Sequence, residues 1–446
     1  MGTLVMVGQL ILSLSILIVL HEGGHFLPAK WFGTRVEKFY LFFDPGFSLF
    51  KYKKGETEYG IGWLPFGGYV KISGMIDESF DTEQMEQEPQ PWEFRSKPAW
   101  QRLIIMLGGV TVNFILGLLI FIGILFYFGE EYIPNENVVH GIWVDSIGLE
   151  LGLQDGDKIL KIGDAPFEKF NQGLFRKEII VNAADNLTIE RDGQRQKLDL
   201  PEDVASIVSS KANRGYPIFQ ERFHFIVNRT QKGRPAEKAG LLPDDRVVGI
   251  NGKNTPFADQ IKKELQNSKE EEITLNVIRD GAEKDFTLTT SEDGLIGVEL
   301  KSSYQLLGTK KIEYGFAESI PLGIKKGWSA LTDQAKAIGK MITRKISAKD
   351  NLGSVFTIAK AYGPVWDWEK FWTLTGTLSL LLAFLNLLPI PALDGGHVMF
   401  LLYEVISGRK PNDKFLEYAT IAGFILLVIL MISILGLDIW NNFIRE

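Results

Sequence analysis

The sequence contains no cysteine among its 446 residues. Disulfides, thiolate nucleophiles, cysteine zinc sites and iron–sulfur clusters are therefore excluded, and any bound metal must use histidine, aspartate or glutamate. Basic residues are not in excess either, because 48 Lys and Arg against 55 Asp and Glu give a formal charge of −7. Such a chain has no basic field to hold a phosphate backbone, so we expect no nucleic acid among its partners.

Four stretches of the chain lack Asp, Glu, Lys and Arg altogether: residues 1–20, 103–129, 371–393 and 418–437. Each is long enough to cross about 30 Å of hydrocarbon as a helix. A cleaved signal peptide is the alternative for the first stretch, but no Lys or Arg precedes its apolar run and no small-residue cleavage site follows it. The pattern predicts a multi-pass α-helical membrane protein with four transmembrane helices and a lipid bilayer around them.

Lys and Arg beside these spans predict the orientation, since they are retained on the cytoplasmic side of a membrane. They lie at both ends of the loop between the first two spans and in the loop after the third, whereas the second span exits into Glu130 and Glu131. We therefore expect both termini outside the cytoplasm. Residues 26–102 and 398–416 should lie inside it, and residues 130–370 outside.

Residues 130–370 consist of short β-rich runs with Gly and Asp turns, and they contain an internal repeat. Residues 152–159 align with 240–247 at an offset of 88. The Arg-Asp-Gly at 191–193 recurs at 279–281 at the same offset of 88. Two matches at one offset indicate a duplicated domain.

The turn at residues 239–252 (AGLLPDDRVVGING) resembles the signature of a PDZ domain. We therefore predict an extracytoplasmic tandem of β-rich PDZ-like domains at residues 130–215 and 216–302. A PDZ groove captures an extended peptide by strand addition, so a peptide is the expected ligand. The alternative is that both modules are spacers whose grooves are unused.

Residues 314–347, after the repeat, place apolar and basic side chains at helical spacing. Such a helix either lies along the outer membrane–water boundary or packs as an ordinary helix, and the pattern leaves both open. The predicted order is thus spans one and two in residues 1–129, the two PDZ-like domains, an amphipathic linker at 303–370, and spans three and four in residues 371–446.

The residues His21-Glu22-Gly23-Gly24-His25 follow directly on the first uncharged run and match the pattern H-E-x-x-H. On a helix the two His side chains lie one turn apart on one face, where they can bind one zinc ion, and Glu22 stands beside them to take a proton from water. Capping or snorkelling at the helix end is the alternative. It explains three ionisable residues at membrane depth poorly, because such residues are costly there unless they coordinate something.

A zinc site with one open position needs a third protein ligand. Two of the three remaining His residues fall in the extracytoplasmic segment, which leaves His397 and, just before it, Asp394. Pro389 and Pro391 prevent a regular helix here, and broken backbone at membrane depth survives only where protein or a wet cavity satisfies it. We therefore expect Asp394 level with the His pair, with a turn-forming role as its alternative.

H-E-x-x-H in the first span together with N-x-x-P-x-x-x-x-D-G at residues 386–395 resembles the site-2 protease family of intramembrane zinc metalloproteases. The chain length, the four spans, the PDZ pair and the phrase GWLPFGGYVK at residues 62–71 fit the branch of that family with two PDZ domains. The resemblance implies zinc (Zn²⁺) as cofactor, with His21, His25 and Asp394 as its ligands and Glu22 as the catalytic base.

The same resemblance implies how substrate is held. Asn386 would help to hold it at the site, and a membrane-associated hairpin would present an extended strand to it; the hairpin residues are Gly67, Gly68, Tyr69, Val70 and Lys71. His397 would then support the site without ligating. The substrates would be transmembrane proteins, of the anti-sigma factor or remnant signal peptide kind, cut near the cytoplasmic side of a bacterial inner membrane.

The chain departs from the family pattern in two places near the site. Gly23 stands where the family usually has Leu, and residues 108–113 (GGVTVN) lack the proline of A-G-P-x-x-N. Two rival interpretations follow: a non-catalytic membrane scaffold whose PDZ pair recruits peptides, or a membrane-anchored protease that acts on soluble peptides. The intact H-E-x-x-H and Asp394 speak against the scaffold. The second rival needs H-E-x-x-H on a folded aqueous domain, and the loop at residues 26–102 lacks the length and the remaining ligands for one.

Overall fold

A computed structural model describes residues 2–65, 67–75, 88–210, 213, 216–351 and 355–439. The chain divides into two compact units. The first comprises Met1–Gly129, Glu313–Gly339 and Leu352–Glu446, and the second Glu130–Ile312 and Lys340–Asn351.

The helices and strands are numbered here in chain order. The helices are α1 (Gly2–Trp31), α2 (Ala99–Tyr127), α3 (Ser146–Glu150), α4 (Gln172–Ile180), α5 (Val204–Ser209), α6 (Pro235–Lys238), α7 (Ala258–Asn267), α8 (Ser303–Leu307), α9 (Phe316–Ile342), α10 (Ala348–Asn351), α11 (Val355–Tyr362), α12 (Trp368–Leu387), α13 (Asp394–Ser407) and α14 (Asp413–Ile439). The strands are β1 (Val36–Leu41), β2 (Phe50–Lys54), β3 (Thr57–Ile61), β4 (Tyr69–Ile72), β5 (Glu130–Tyr132), β6 (Ile142–Val144), β7 (Lys158–Ile162), β8 (Ala165–Pro166), β9 (Asn186–Arg191), β10 (Gln194–Asp199), β11 (Phe219–Glu221), β12 (Phe225–Thr230), β13 (Arg246–Ile250), β14 (Lys253–Asn254), β15 (Glu272–Arg279), β16 (Ala282–Thr289), β17 (Val298–Leu300) and β18 (Lys310–Ile312).

Four of the described helices are long and apolar enough to cross a membrane: α1, α2, α12 and the Lys414–Gly436 part of α14. α1 continues beyond the first uncharged run to Trp31, so the whole H-E-x-x-H sequence is helical. α12 ends before Pro389, and the separate helix α13 begins at Asp394. The interruption follows from proline, which has no N–H to donate and cannot continue a helix.

The loop between α1 and α2 folds into a four-stranded sheet with the order β2-β3-β1-β4. β1 pairs parallel with β3 and antiparallel with β4, with Phe39 opposite Val70. β4 is thus an edge strand. A Cβ built on Gly68, just before β4, would lie 2.4 Å from the Ile18 side chain, so a glycine lets this end of the strand approach α1 closely.

A buried apolar cluster joins this sheet to α1, α2 and α13, and so holds together the elements that carry the site residues. Its members are Ala29, Val36, Ile72, Phe94, Ile105, Met106, Val398 and Leu401. Full burial of a large apolar side chain contributes about 1.5–3 kcal/mol to the stability of the fold. The cluster therefore fixes the sheet and α13 against the two helices.

α9 packs against α2 through small residues. Ser319, Gly323 and Gly327 recur at intervals of four on one buried face of α9. A Cβ on Gly323 would lie 2.5 Å from the Ile122 Cα, so the two helices come into backbone contact there. Ile324, next to this face, is exposed. One face of α9 thus packs against α2, and a position of this helix along the membrane–water boundary stays a prediction.

The second unit contains two sheets of similar strand order, β10-β9-β7-β8 and β16-β15-β13-β12-β17. β11 pairs with β6, and β14 pairs with β13. Each sheet has its own apolar core: Phe175 and Phe219 are central to the first, and Ile261 and Val277 to the second. The two halves of the internal repeat are therefore separately packed β modules.

The same buried ion pair occurs in both modules. In the first, Arg191 donates through Nε and Nη2 to the two carboxylate oxygens of Asp157, each at 2.7 Å. In the second, Arg279 makes the same two contacts with Asp245, each at 2.6 Å. A backbone N–H of the preceding turn also donates to each carboxylate. The offset of 88 residues seen in the sequence is thus kept in these individual hydrogen bonds.

We expect Arg279→Met to destabilise the second module, because it leaves the buried carboxylate of Asp245 without its charged partner. Loss of a partner from a buried acceptor costs about 1–3 kcal/mol. Hydrogen exchange of β13 and β15 measures the effect, and Arg191→Met is the matched change, which should accelerate exchange in β7 and β9 instead. Unchanged exchange in β13 and β15 of Arg279→Met would contradict the expectation.

Acid should remove the same stabilisation. Burial alone would raise the pKa of Asp245, but the hydrogen bonds from Arg279 and from the Leu242 N–H outweigh it and lower that pKa below its ordinary value. The stabilisation is therefore fully present above the ordinary carboxyl pKa and is lost as pH falls through the lowered native pKa. The difference in exchange between wild type and Arg279→Met should shrink over that pH range.

Candidate metal centre

His21 and His25 lie one turn apart on α1, and their Nε2 atoms converge. The two Nε2 atoms are 3.3 Å apart, and the rings stand edge to face with centroids 4.9 Å apart. His25 is buried and His21 is partly buried. Because the Nε2 atoms meet at one place, their lone pairs can bind one cation.

Asp394, the first residue of α13, completes the group. Its Oδ2 lies 3.3 Å from His21 Nε2 and 3.4 Å from His25 Nε2. That oxygen is buried and has no hydrogen-bond partner among the described residues. A native structure rarely leaves a buried carboxylate oxygen unsatisfied unless an ion or a functional role explains it.

These three residues fit a zinc ion. One ligand atom from each lies within 4.8 Å of the other two, and no second cluster of three His, Asp or Glu in the described part of the chain does so. Two imidazole nitrogens and one carboxylate oxygen are ordinary zinc ligands, and three protein ligands leave a fourth position open. His397, the other residue considered as third ligand, is not in the group.

Glycines allow α1 and α2 to meet at the His pair. A Cβ on Gly24 would lie 2.5 Å from the Gly108 carbonyl oxygen, which no side chain could tolerate without a shift of backbone. A Cβ on Gly109 would lie 2.3 Å from His25 Nε2 itself. The two imidazoles therefore occupy space that any other residue at position 109 would fill.

The turn that presents Asp394 also depends on glycine. A Cβ on Gly395 would lie 2.2 Å from the Leu388 carbonyl oxygen, and one on Gly396 would lie 2.6 Å from the Ile390 carbonyl oxygen. The first turn of α13 thus packs directly on the backbone that follows α12. The two prolines end one helix, and the two glycines let the next begin against it.

Glu22 lies on the side of α1 that faces β4. Its carboxylate accepts a hydrogen bond from the Val70 N–H. A Cβ on Gly68 would lie 3.6 Å from the Glu22 Cγ, so the chain entering β4 passes directly beside it. An edge strand therefore holds the carboxylate next to the His pair.

Asn386, predicted to contact substrate, lies at the metal group, with its Nδ2 3.3 Å from His21 Nε2. Gly67 and Gly68 precede β4 and, because glycine has no side chain, present only backbone atoms. A Cβ on Gly67 would lie 2.8 Å from the Phe43 ring, and its φ of 144° favours glycine. The structure thus brings Asn386 and this strand to α1 from two different elements.

The side chains of Tyr69 and Lys71 contact the sheet and its connecting loop. Tyr69 Oη donates a hydrogen bond to Asp44 at 2.9 Å, and Lys71 Nζ lies 3.6 Å from Glu37. Burial, together with the hydrogen bond to Asp44, raises the pKa of Tyr69, so its phenol stays protonated. These two side chains therefore support the hairpin, whereas the Val70 N–H is the group of β4 that contacts Glu22.

Asn113 on α2 also contacts the group, with its Nδ2 3.3 Å from His21 Nδ1. Asn113 is the last residue of the A-G-P-x-x-N pattern, but the resemblance assigned it no role at the site. The signal that marks it is an amide within an uncharged run, since polar side chains at membrane depth are costly unless partnered.

Gly23, where the family usually has Leu, faces open space. Nothing described lies within 4 Å of a Cβ built on it. Its neighbours one turn away on α1, Val19 and Leu27, are 37% and 67% exposed. Position 23 therefore lies on the outer face of α1, and the departure from the family removes no contact with the metal group.

Gly23→Ala should therefore retain zinc and stabilise α1 by up to about 1 kcal/mol, the helix propensity difference between Gly and Ala. Gly24→Ala, one position along, should lose both zinc and folded protein because its Cβ meets the Gly108 backbone. Zinc per chain and the midpoint of thermal unfolding, measured after metal-replete purification, compare the two variants. Zinc loss in Gly23→Ala would place residue 23 in the site.

Two His and one Asp beside a Glu, with the His pair and the Glu on a helix of membrane-spanning length, have the composition of an intramembrane metalloprotease site. The family model of peptidase family M50 matches residues 9–430 of the chain. The chain therefore belongs to peptidase family M50, the site-2 protease family of zinc metalloproteases, which confirms the resemblance inferred from its motifs.

Relatives of the chain match over nearly its whole length. A protein named as a zinc metalloprotease from Rickettsia conorii is 29% identical over 440 residues, which cover 97% of this chain and 98% of the relative. The regulator of sigma E protease of Haemophilus influenzae is 27% identical over 455 residues, 98% of each chain. The regulator of sigma-E protease RseP of Escherichia coli is 28% identical over 460 residues, 98% of this chain and 97% of the relative.

Proposed function

We propose that the protein hydrolyses a peptide bond within the transmembrane segments of other membrane proteins, as a protease of regulated intramembrane proteolysis. His21, His25 and Asp394 hold the zinc ion, and Glu22 is the catalytic base. The observation that carries the proposal is the convergence of three ligand atoms, one of them an unsatisfied buried carboxylate oxygen, beside Glu22 on a helix of membrane-spanning length.

Held by His21, His25 and Asp394, zinc would supply the Lewis acidity that polarises a scissile carbonyl and lowers the pKa of water. Glu22 takes the proton from the attacking water and can return it to the leaving amine. The Val70 N–H, donated to the Glu22 carboxylate, keeps that side chain turned toward the His pair. Asn386 lies at the same place and can donate its amide N–H to the substrate backbone.

Substrate is held as a strand against β4. A transmembrane helix cannot be cut while its amides are bonded internally and shielded, so it must first unwind. Pairing with an edge strand replaces the lost hydrogen bonds. β4 is an edge strand, its entry at Gly67 and Gly68 has no side chains to obstruct a partner, and it runs beside Glu22.

The two β modules are PDZ-like domains on the outer side of the membrane, at residues 130–215 and 216–302, with the metal site near the cytoplasmic side. In the second module β17 is an edge strand that follows a Gly-Leu-Ile-Gly turn, which supports a peptide groove. In the first module an open, mostly polar depression lies between α4 and β11, lined by Gln172, Arg176, Tyr216, Pro217, Gln220 and Glu221. A peptide or the outer part of a substrate is the ligand of these grooves.

The substrates are membrane proteins of a bacterial inner membrane, of the anti-sigma factor or remnant signal peptide kind. The names of two relatives, which are regulators of sigma E, support the first kind. The PDZ pair would exclude substrates whose outer domain is still bulky, which makes this cleavage the second of two. Residues 1–129 and 371–446 then hold the spans and the site, and residues 303–370 link them to the PDZ-like pair.

Glu22→Gln should keep zinc near one per chain and lose cleavage by about 10²–10⁴-fold, the usual contribution of a general base. The measurement is zinc content and cleavage of a reporter transmembrane helix by detergent-purified full-length protein, beside wild type. Wild type that stays zinc-free after metal-replete purification would instead favour a non-catalytic PDZ membrane scaffold.

Val70→Pro should lower cleavage at least about tenfold while zinc stays bound. Proline has no N–H to donate to Glu22, and it disrupts the edge strand β4 on which substrate pairing depends. Val70→Ala is the matched control: it trims the side chain and keeps the N–H, so its activity should stay close to wild type. Equal cleavage by the two variants would remove β4 from the mechanism.

A further inference from the structure

The face of α2 toward the His pair carries three positions spaced four residues apart. The Ile105 carbonyl oxygen lies 2.8 Å from His25 Nδ1, and Asn113 lies 3.3 Å from His21 Nδ1. Between them, Gly109 leaves room for both rings. α2 therefore contacts the ring nitrogen of each histidine that points away from the metal position.

His25 shows what such a contact does. A carbonyl oxygen can only accept, so the Ile105 contact requires the proton of His25 to be on Nδ1. Nε2 then keeps its lone pair and faces the Nε2 of His21 and Asp394. The backbone of α2 thus selects the ligating tautomer of His25.

His21 needs an acceptor at the equivalent position. Its Nε2 faces the metal position, so its proton belongs on Nδ1, next to the Asn113 amide. The Asn113 Oδ1 is buried and has no hydrogen-bond partner among the residues described. The two ends of an amide have nearly the same shape and are assigned from hydrogen bonding, and exchanging them puts Oδ1 on the His21 Nδ1–H.

We propose that Asn113 is a positioning residue that accepts the Nδ1–H of His21, fixing the tautomer and ring orientation in which Nε2 ligates zinc. The inference rests on the proposed function, since it concerns the same metal group. It assigns α2 a matched pair of supports: a main-chain carbonyl for His25 and a side-chain carbonyl for His21.

Asn113 is itself held in place. Its side chain is buried, with 1% of the residue exposed. Its backbone carbonyl oxygen accepts a hydrogen bond from Ser379 Oγ at 2.7 Å, and Ser379 on α12 is also fully buried. The same helix delivers Asn386 to His21 two turns later. A support for a ligand must be rigid to be effective, and this one is tied to a second helix.

The consequence is measurable as zinc affinity. Loss of the group that supports a ligating histidine typically weakens metal binding about 10–100-fold. Asn113→Leu has nearly the same shape and no acceptor, so it should weaken zinc binding by that factor. Asn113→Asp restores an acceptor oxygen in the same place and should bind zinc within about threefold of wild type, since the hydrogen bond to the imidazole is kept.

The experiment measures the zinc dissociation constant of full-length protein in detergent by competition with a chromophoric chelator, alongside circular dichroism and gel filtration to establish folding. Ile115 on α2 is 49% exposed. Ile115→Ala is therefore the control and should leave zinc affinity unchanged. Should Asn113→Leu fail to fold, Asn113→Ala, which adds no bulk, carries the same expectation of weakened binding.

Wild-type affinity in the folded Leu or Ala variant would overturn the proposal, as would equal weakening in Asn113→Asp and Asn113→Leu. Weak binding by the Leu variant with rescue by the Asp variant supports it. Wild type that binds no zinc would instead be a failure of the proposed function itself, and the wild-type measurement alone reports that outcome.

Discussion

The site depends on one constraint, the backbone contact between α1 and α2 at Gly24 and Gly108. Two helices normally keep their axes 8–10 Å apart, because side chains fill the space between them. Removing side chains at this crossing lets the imidazoles of α1 reach across and rest on α2, where Gly109 leaves them room. Close backbone packing of this kind is also the way in which helices associate in lipid, where no hydrophobic force acts between them. The glycines at this crossing thus supply both the close packing that stabilises the α1–α2 pair and the space for the two imidazoles.

Much of the architecture could be predicted from the sequence, because the features that encode it are local. Uncharged runs indicated the membrane-length helices, prolines 389 and 391 indicated the interruption before Asp394, and a constant offset of 88 residues indicated the duplicated module. When H-E-x-x-H lies on an α-helix, its two His occupy one face wherever that helix is in a protein. The pairing of His21 with His25 therefore follows from helical geometry alone. Family membership confirms the chemistry that this pattern suggested.

Other features could not be predicted because they depend on which helices become neighbours. The contact of Asn113 with His21 joins residues 92 positions apart, and that of Asn386 joins residues 365 positions apart. Nothing in the sequence around Gly23 says that it faces outward while Gly24 faces α2; that follows only from how α1 is rotated. The hydrogen bond from Val70 to Glu22 likewise requires the register of β4, which the sheet sets through its pairing with β1.

The position of Asp394 at the very start of α13 has a consequence for how the protein matures. The first turn of a helix carries unpaired N–H groups and a partial positive charge, which stabilise a nearby carboxylate by about 0.3–1 kcal/mol. Part of the charge of Asp394 is therefore balanced by its own helix. The carboxylate is thus partly stabilised in the folded chain at the stage before it holds a cation.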